Sequence, residues 1–264
     1  MKFQVFFIII LSHITLLAQE KTIPAKLLSK TPITTARYIG TDAFGWKYTI
    51  QNNVFKKEKD GRSVKYNSVS LGDIYRVDLQ NPLQVVLFYK NFNTAVLLDS
   101  QLNETTRINF SELQQPLLAE AVGLASQNRL WVYDTNTQQV GLYDTATNTF
   151  KALTPPFNKT LQYYQSGYNY FYWADDVNNL YAVNPFGKVN FLGKLPDFKK
   201  IQLVNDKQVL LEKDMILYLY NPENTSLKKI AIVEKTFENF YYSAQILSIF
   251  TNNEIIQYNV TLPE

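Results

Sequence analysis

Apolar and polar residues alternate in short runs along most of the chain, and the clearest case lies between residues 117 and 157. Strand-length apolar stretches occur there at 118–125, 130–133, 139–143 and 150–153. Each is rich in residues that suit a pleated surface. Polar clusters of turn-forming residues separate the last three stretches. The segment therefore predicts an antiparallel meander of four short strands.

The same unit recurs at a nearly constant period. The Asp or Asn that ends each third strand is found at spacings of 39, 45, 40, 37 and 38 residues. These positions are Asp60, Asp99, Asp144, Asn184, Asn221 and Asn259. A period of about 40 residues with four strands per unit is typical of propeller blades. The predicted fold is all-β, a six-bladed β-propeller of four-stranded antiparallel blades.

The sixth unit supplies only three strands of its own before Glu264. A strand-like stretch at 25–29, near the other end of the sequence, belongs to no unit. We therefore predict that this N-terminal strand completes the last blade, closes the ring and removes an exposed sheet edge. Residues 19–264 are predicted to form a single β-propeller domain.

Residues 1–18 have a different character. Lys2 precedes an apolar run at 5–11, and Ala18 precedes Gln19. This arrangement predicts a secretory signal peptide, with an uncleaved anchor as the alternative. Export places the mature domain outside the cytoplasm.

The amino-acid composition then limits the kinds of catalysis and metal binding that are open to the chain. His13, inside the predicted signal peptide, is the only histidine, and the chain has no cysteine. The predicted mature chain therefore has no imidazole or thiolate for catalysis or metal binding, and catalysis is disfavoured. The full sequence has a net charge of +3, and charges of both signs are scattered along it, which gives no support to nucleic-acid binding.

Acidic residues fall in the predicted loops that join second to third strands. Asp134, Asp175 and Asp176 are the candidate metal ligands, because carboxylate oxygens suit calcium. A calcium-dependent sugar or lactone hydrolase, or a glycan-binding lectin-like propeller, is the corresponding alternative function. Asp is also what tight turns require, so a purely structural role competes with this hypothesis.

The densest aromatic stretch lies at 161–173. Neighbouring residues on a strand point to opposite faces, so these side chains cannot all enter one blade interface. Exposed Tyr and Trp are favoured at protein interfaces and at sugar-stacking sites. The predicted interaction residues are Tyr163, Tyr164, Tyr168, Tyr170 and Trp173.

The ending Leu-Leu-Ala18-Gln19 of the first segment and a composition rich in Lys, Asn, Tyr and Ile resemble exported proteins of Bacteroidota. The repeat is similar to degenerate bacterial propellers. By class and compartment, and not by any particular residue, the chain also resembles the plug-like periplasmic subunit of the type 9 secretion translocon. The resemblance implies a periplasmic, non-catalytic protein without a cofactor. It also implies binding to a large envelope or outer-membrane protein as a subunit of a secretion or assembly complex.

Overall fold

The chain is described by a computed structural model that covers residues 22–33, 37–234 and 236–263. The predicted signal peptide at 1–18 lies outside the described residues. Within them, the helical elements are two three-residue 3-10 turns, Lys90–Phe92 and Phe110–Glu112. No helix in the described ranges has the length and apolar character needed to cross a membrane.

Short strands make up the rest of the regular structure. Two of them precede the first blade, β1 (Ile23–Pro24) and β2 (Lys26–Pro32). Blade 1 contains β3 (Arg37–Thr41), β4 (Lys47–Gln51), β5 (Val54–Lys59) and β6 (Arg62–Tyr66). Blade 2 contains β7 (Arg76–Asp78), β8 (Val85–Tyr89), β9 (Thr94–Leu98) and β10 (Glu104–Asn109). Blade 3 contains β11 (Ala119–Leu124), β12 (Arg129–Asp134), β13 (Gln139–Asp144) and β14 (Thr149–Ala152).

The second half of the ring repeats the pattern. Blade 4 contains β15 (Leu161–Ser166), β16 (Phe171–Asp175), β17 (Asn179–Val183) and β18 (Val189–Lys194). Blade 5 contains β19 (Lys200–Asn205), β20 (Gln208–Lys213), β21 (Ile216–Asn221) and β22 (Ser226–Ala231). Blade 6 contains β23 (Asn239–Ser243), β24 (Ile246–Phe250) and β25 (Glu254–Asn259).

Strands within each blade pair antiparallel in chain order, which confirms the predicted four-stranded meanders. The first strands of neighbouring blades approach one another, as β15 and β19 or β23 and β3 do, so they face the centre of the ring. Asn and Asp shape many of the turns because they tolerate left-handed backbone angles. Asn52 and Asn53, for example, have φ of 49° and 62° in the hairpin between β4 and β5.

The predicted closure of the ring is confirmed. Strand β2 pairs antiparallel with β25 and becomes the fourth strand of blade 6. The sequence did not predict a second contact, in which β1 pairs parallel with β22 at the outer edge of blade 5. Ile23 is buried in the apolar cluster between blades 5 and 6. The N-terminal segment therefore joins two blades.

The core is divided among the interfaces between blades. Each blade is covered on both sides by its neighbours, so a middle strand can be apolar on both faces. In β8 every residue from Val85 to Tyr89 is buried. The smallest cluster in the described part of the chain joins blade 6 to blade 1 and consists of Tyr38, Phe250 and Ile255. The seam between the last blade and the first is therefore the most thinly packed interface.

Candidate functional site

Two adjoining cavities of about 700 and about 880 Å³ occupy the centre of the ring. They form one channel because their walls have residues in common, namely Arg37, Tyr38, Tyr163, Ile201 and Asn239. The larger cavity opens among the links between blades. The other reaches the loops that join first to second strands. The channel therefore has two chemically different ends.

Blade 3 does not contribute to the walls of this channel. Arg76 of blade 2 donates to the backbone oxygen of Tyr164 in blade 4, and its guanidinium carbon lies 3.9 Å from the centre of the Tyr164 ring. Asp78 accepts a hydrogen bond from the Ser166 hydroxyl at 2.6 Å. Gly123 of blade 3 lies beneath this hydrogen bond, and a Cβ atom added to it would be 2.1 Å from the Ser166 oxygen. Blades 2 and 4 thus touch across the inner strand of blade 3.

Amide side chains connect the inner strands of blades 4, 5 and 6. Gln165 donates to the backbone oxygen of Leu203 and accepts from the N–H of the same residue, both at 3.0 Å. Gln202 makes the same pair of bonds with Tyr242, at 2.7 and 2.8 Å. Each glutamine therefore satisfies the backbone of the next blade where no strand pairs with it.

One end of the channel is lined by Tyr168 and Tyr172 of blade 4. Together with the neighbouring Tyr170, they form what we call the tyrosine mouth. Tyr168 is 44% exposed. The rings of Tyr170 and Tyr172 lie 5.8 Å apart. The Tyr172 hydroxyl donates to Asp206 at 2.6 Å. Burial, and secondly this bond, raises the pKa of Tyr172, so its phenol stays protonated at neutral pH.

The predicted interaction residues divide between surface, channel and core. Tyr168 and Tyr170 lie at the tyrosine mouth, and Tyr163 lies in the channel wall. Tyr164 and Trp173 are instead buried in the cluster between blades 3 and 4, so they are not surface contacts. The physical reason is their register: they are cross-strand partners and share the face that packs on blade 3.

The opposite end, which we call the cationic mouth, is formed by Arg37, Lys199 and Lys200. Arg37 donates to the backbone oxygen of Ile74 at 2.8 Å. Lys199 lies 4.0 Å from the carboxylate of Glu212, which is fully buried. These cations were not among the site residues predicted from the sequence. The sequence held a signal for two of them. Arg37 and Lys200 each begin the inner strand of a blade, as Arg76 does in blade 2.

The candidate calcium ligands occupy turns. The carboxylate of Asp134 accepts the N–H groups of Leu118 and Thr137 at 2.8 and 3.1 Å. That of Asp175 accepts the N–H groups of Val177 and Asn179.

Asp176 is exposed and forms an ion pair with Lys159 at 3.3 Å. The residues described by the structure contain no group of three or more acidic, His or Cys side chains placed to hold a metal ion. The calcium hypothesis stays a prediction that this geometry does not favour.

Six four-stranded blades around a central channel define the chain as a six-bladed β-propeller. No protein-family model and no curated protein matches the sequence. Solved structures share the fold at low sequence identity. One is a catalytically inactive histidine-to-alanine variant of virginiamycin B lyase from Staphylococcus aureus with quinupristin, at 10% identity and a TM-score of 0.61. That match covers 90% of this chain and 100% of the lyase chain.

Two further solved structures share the fold. The β-propeller domain of Cps50 (Swd1) from Myceliophteria thermophila has a TM-score of 0.56 at 9% identity, covering 90% of this chain and 100% of that one. YCF48 bound to D1 peptide has a TM-score of 0.51 at 10% identity, covering 82% and 76%. At such identities the similarity establishes the fold alone.

Proposed function

We propose that this chain is an exported, non-catalytic β-propeller that binds a large envelope or outer-membrane protein as a subunit of a secretion or assembly complex. The observation that carries the proposal is the tyrosine mouth together with exposed aromatic residues in loops at the same end of the ring. Phe186, between β17 and β18, is 93% exposed, and Phe44, between β3 and β4, is 60% exposed. Loops between first and second strands and between third and fourth strands open on the same end of a meander.

Aromatic side chains at this end suit a protein partner. Tyr, Trp and Phe are enriched at protein interfaces because they bury a large area at little cost in conformational entropy. Tyr168 also has a polar tip that remains able to hydrogen bond at the edge of an interface. Among the solved propellers of similar fold, YCF48 is bound to a peptide. We infer that a partner segment covers Tyr168, Tyr170 and Phe186.

A lyase function is less well supported. The lyase of similar fold is named as catalytically inactive when a histidine is replaced by alanine. His13 is the only histidine of this sequence and lies within the predicted signal peptide. A general base of imidazole type is therefore not available to the described domain.

The predicted signal peptide at 1–18 supports a periplasmic location, with attachment to the outer membrane through the partner. Within that compartment, the periplasmic side of the type 9 secretion translocon is the assembly that we propose from the resemblance in leader and composition. This part of the proposal rests on the sequence.

The test is a pull-down of tagged protein from gently solubilised envelopes, with bound proteins identified by mass spectrometry. We expect one membrane protein in stoichiometric amount. The double variant Tyr168→Ala/Phe186→Ala should lose it. Phe191→Ala is the matched control, because Phe191 is 61% exposed on the outer strand of the same blade, away from the mouth. A bare monomer, or equal capture by all three proteins, would contradict the proposal.

A further inference from the structure

The cationic mouth has no role in the proposed protein interface, which lies at the other end of the channel. Its three cations line the cavity of about 880 Å³. This volume is within the range of small-molecule sites, which is about 300 to 1,000 Å³. The mouth is therefore large enough to enclose an organic molecule.

The charges in this cavity are unbalanced. Arg37, Lys199 and Lys200 are basic, and among the described residues Glu238 is the one acidic side chain in the wall. Glu212 lies near Lys199, and Asp73 near Arg37, but neither carboxylate belongs to the wall. The surface that a ligand would meet is thus positively charged.

Lys200 lies in an unfavourable environment for a cation. Partial burial lowers the pKa of its ammonium group, and neighbouring Lys199 acts in the same direction. The carboxylates of Glu212 and Glu238 oppose this effect without cancelling it. An added anion at this position would therefore stabilise the charged form of Lys200.

Neutral hydrogen-bonding groups complete the wall. Gln162, Asn239, Thr251 and Asn252 lie beside the cations and can donate hydrogen bonds to an oxyanion. The phenol rings of Tyr38 and Tyr163 form its inner surface. A wall with a few cationic groups among polar and aromatic side chains suits the binding of a small anion.

We propose that the cationic mouth binds a small organic anion through carboxylate or phosphate groups held by Arg37, Lys199 and Lys200. The concave wall favours a small molecule over a nucleic acid, whose binding needs an extended basic surface. The anion and the protein partner occupy opposite ends of the channel, so either can bind without the other.

Isothermal titration calorimetry with sodium citrate and with sodium phosphate, at constant ionic strength set with sodium chloride, tests this proposal. We expect saturable binding of at least one anion with one site per chain. Citrate alone would identify a carboxylate ligand, and phosphate alone a phosphate ligand. Lys200→Gln should weaken binding by about tenfold, as expected for loss of one charge-assisted hydrogen bond.

Two comparisons make the result decisive. Arg37→Gln should weaken binding as well, but Arg37 also bonds to Ile74, so Lys200→Gln is the cleaner variant. Lys151→Gln is the matched control, because Lys151 is exposed on the outer strand of blade 3. The proposal is overturned if neither anion binds, or if Lys151→Gln weakens binding as much as Lys200→Gln. Failure of the envelope pull-down would leave this result unaffected.

Discussion

The carboxylate of Asp78 accepts a hydrogen bond from the hydroxyl of Ser166 at 2.6 Å, although the two residues belong to blades 2 and 4. The same oxygen accepts the N–H of Leu124 in blade 3 at 2.7 Å. One carboxylate thus joins three consecutive blades. This arrangement is possible because blade 3 has glycine at position 123, directly below the contact.

The first prediction concerns this crossing. Gly123→Ala would place a methyl group 2.1 Å from the Ser166 oxygen, so blades 2 and 4 would have to separate. We expect a loss of about 2–3 kcal/mol in the free energy of unfolding, the upper part of the range for overpacking. Urea denaturation measures it.

Gly167→Ala is the matched control, because the nearest atom to its added carbon would be 3.4 Å away, an ordinary contact. Gly123→Ala combined with Ser166→Gly should recover part of the loss. A Gly123→Ala protein as stable as the parent would mean that the crossing is not tightly packed.

The second prediction concerns ring closure. Deletion of residues 19–31 removes most of β2 and exposes the edge of β25. We expect a large drop in the melting temperature, measured by differential scanning calorimetry. Melting within a few degrees of the full chain would show that the ring does not depend on this strand.

Point variants separate the two contacts of the same segment. Ile23→Ala should cost about 2–5 kcal/mol, the usual range for a buried isoleucine. Leu28→Ala should have little effect, because Leu28 is exposed.

The third prediction separates the aromatic residues of blade 4. Trp173 is buried against blade 3, so Trp173→Ala should cost about 3–5 kcal/mol of stability. Tyr168→Ala should leave stability within about 0.5 kcal/mol of the parent, as for other surface changes, while weakening partner capture. Chemical denaturation and the pull-down, run on the same two proteins, check both statements.

The fourth prediction concerns calcium. Because Asp134 and Asp175 already accept backbone N–H groups, we expect neither calcium nor chelator to change the melting temperature. Asp175→Ala should cost about 1–3 kcal/mol through the N–H groups that it leaves unpaired. Exposed Asp176→Ala should cost almost nothing. A calcium-dependent rise in melting temperature that Asp175→Ala abolishes would instead support the lectin or hydrolase alternative.

The fifth prediction concerns alkaline pH. Burial raises the pKa of Tyr164 from 10.0 to about 12, against the opposing effect of Arg76. The phenol stays protonated in the folded protein while the unfolded chain ionises, so this contribution is complete below pH 10 and is lost as the pH rises towards about 12. The urea midpoint should therefore fall across that window. In Tyr164→Phe the fall should be smaller; an unchanged slope would contradict the assignment.

Much of the fold was predictable because its signals are local. The Asn and Asp residues of the turns mark the ends of strands, and burial on both faces makes β8 apolar throughout. Even the closure of the ring was predictable, because the sixth unit lacked a fourth strand and the N-terminal segment contained a strand that belonged to no unit. The pairing of β1 with β22 was not, because two residues in parallel register leave no pattern.

The site was less predictable because it depends on contacts between distant residues. Alternation along β15 places Tyr163 and Tyr164 on opposite faces, but only the pairing of Tyr164 with Trp173 determines which face meets blade 3. Arg76 reaches Tyr164 from a position 88 residues earlier in the chain. No local pattern in either segment indicates the other.

Blade 6 takes its fourth strand, β2, from a part of the chain that precedes blade 1. This arrangement also determines when the ring can close. β2 is made before every strand of blades 1 to 5, yet its antiparallel partner β25 follows all of them in the chain. Until β25 has been made, β2 lacks that partner and the circle stays open. Such early, unpaired strands are prone to aggregation and make folding slow. The ring therefore closes only after β25 has been made.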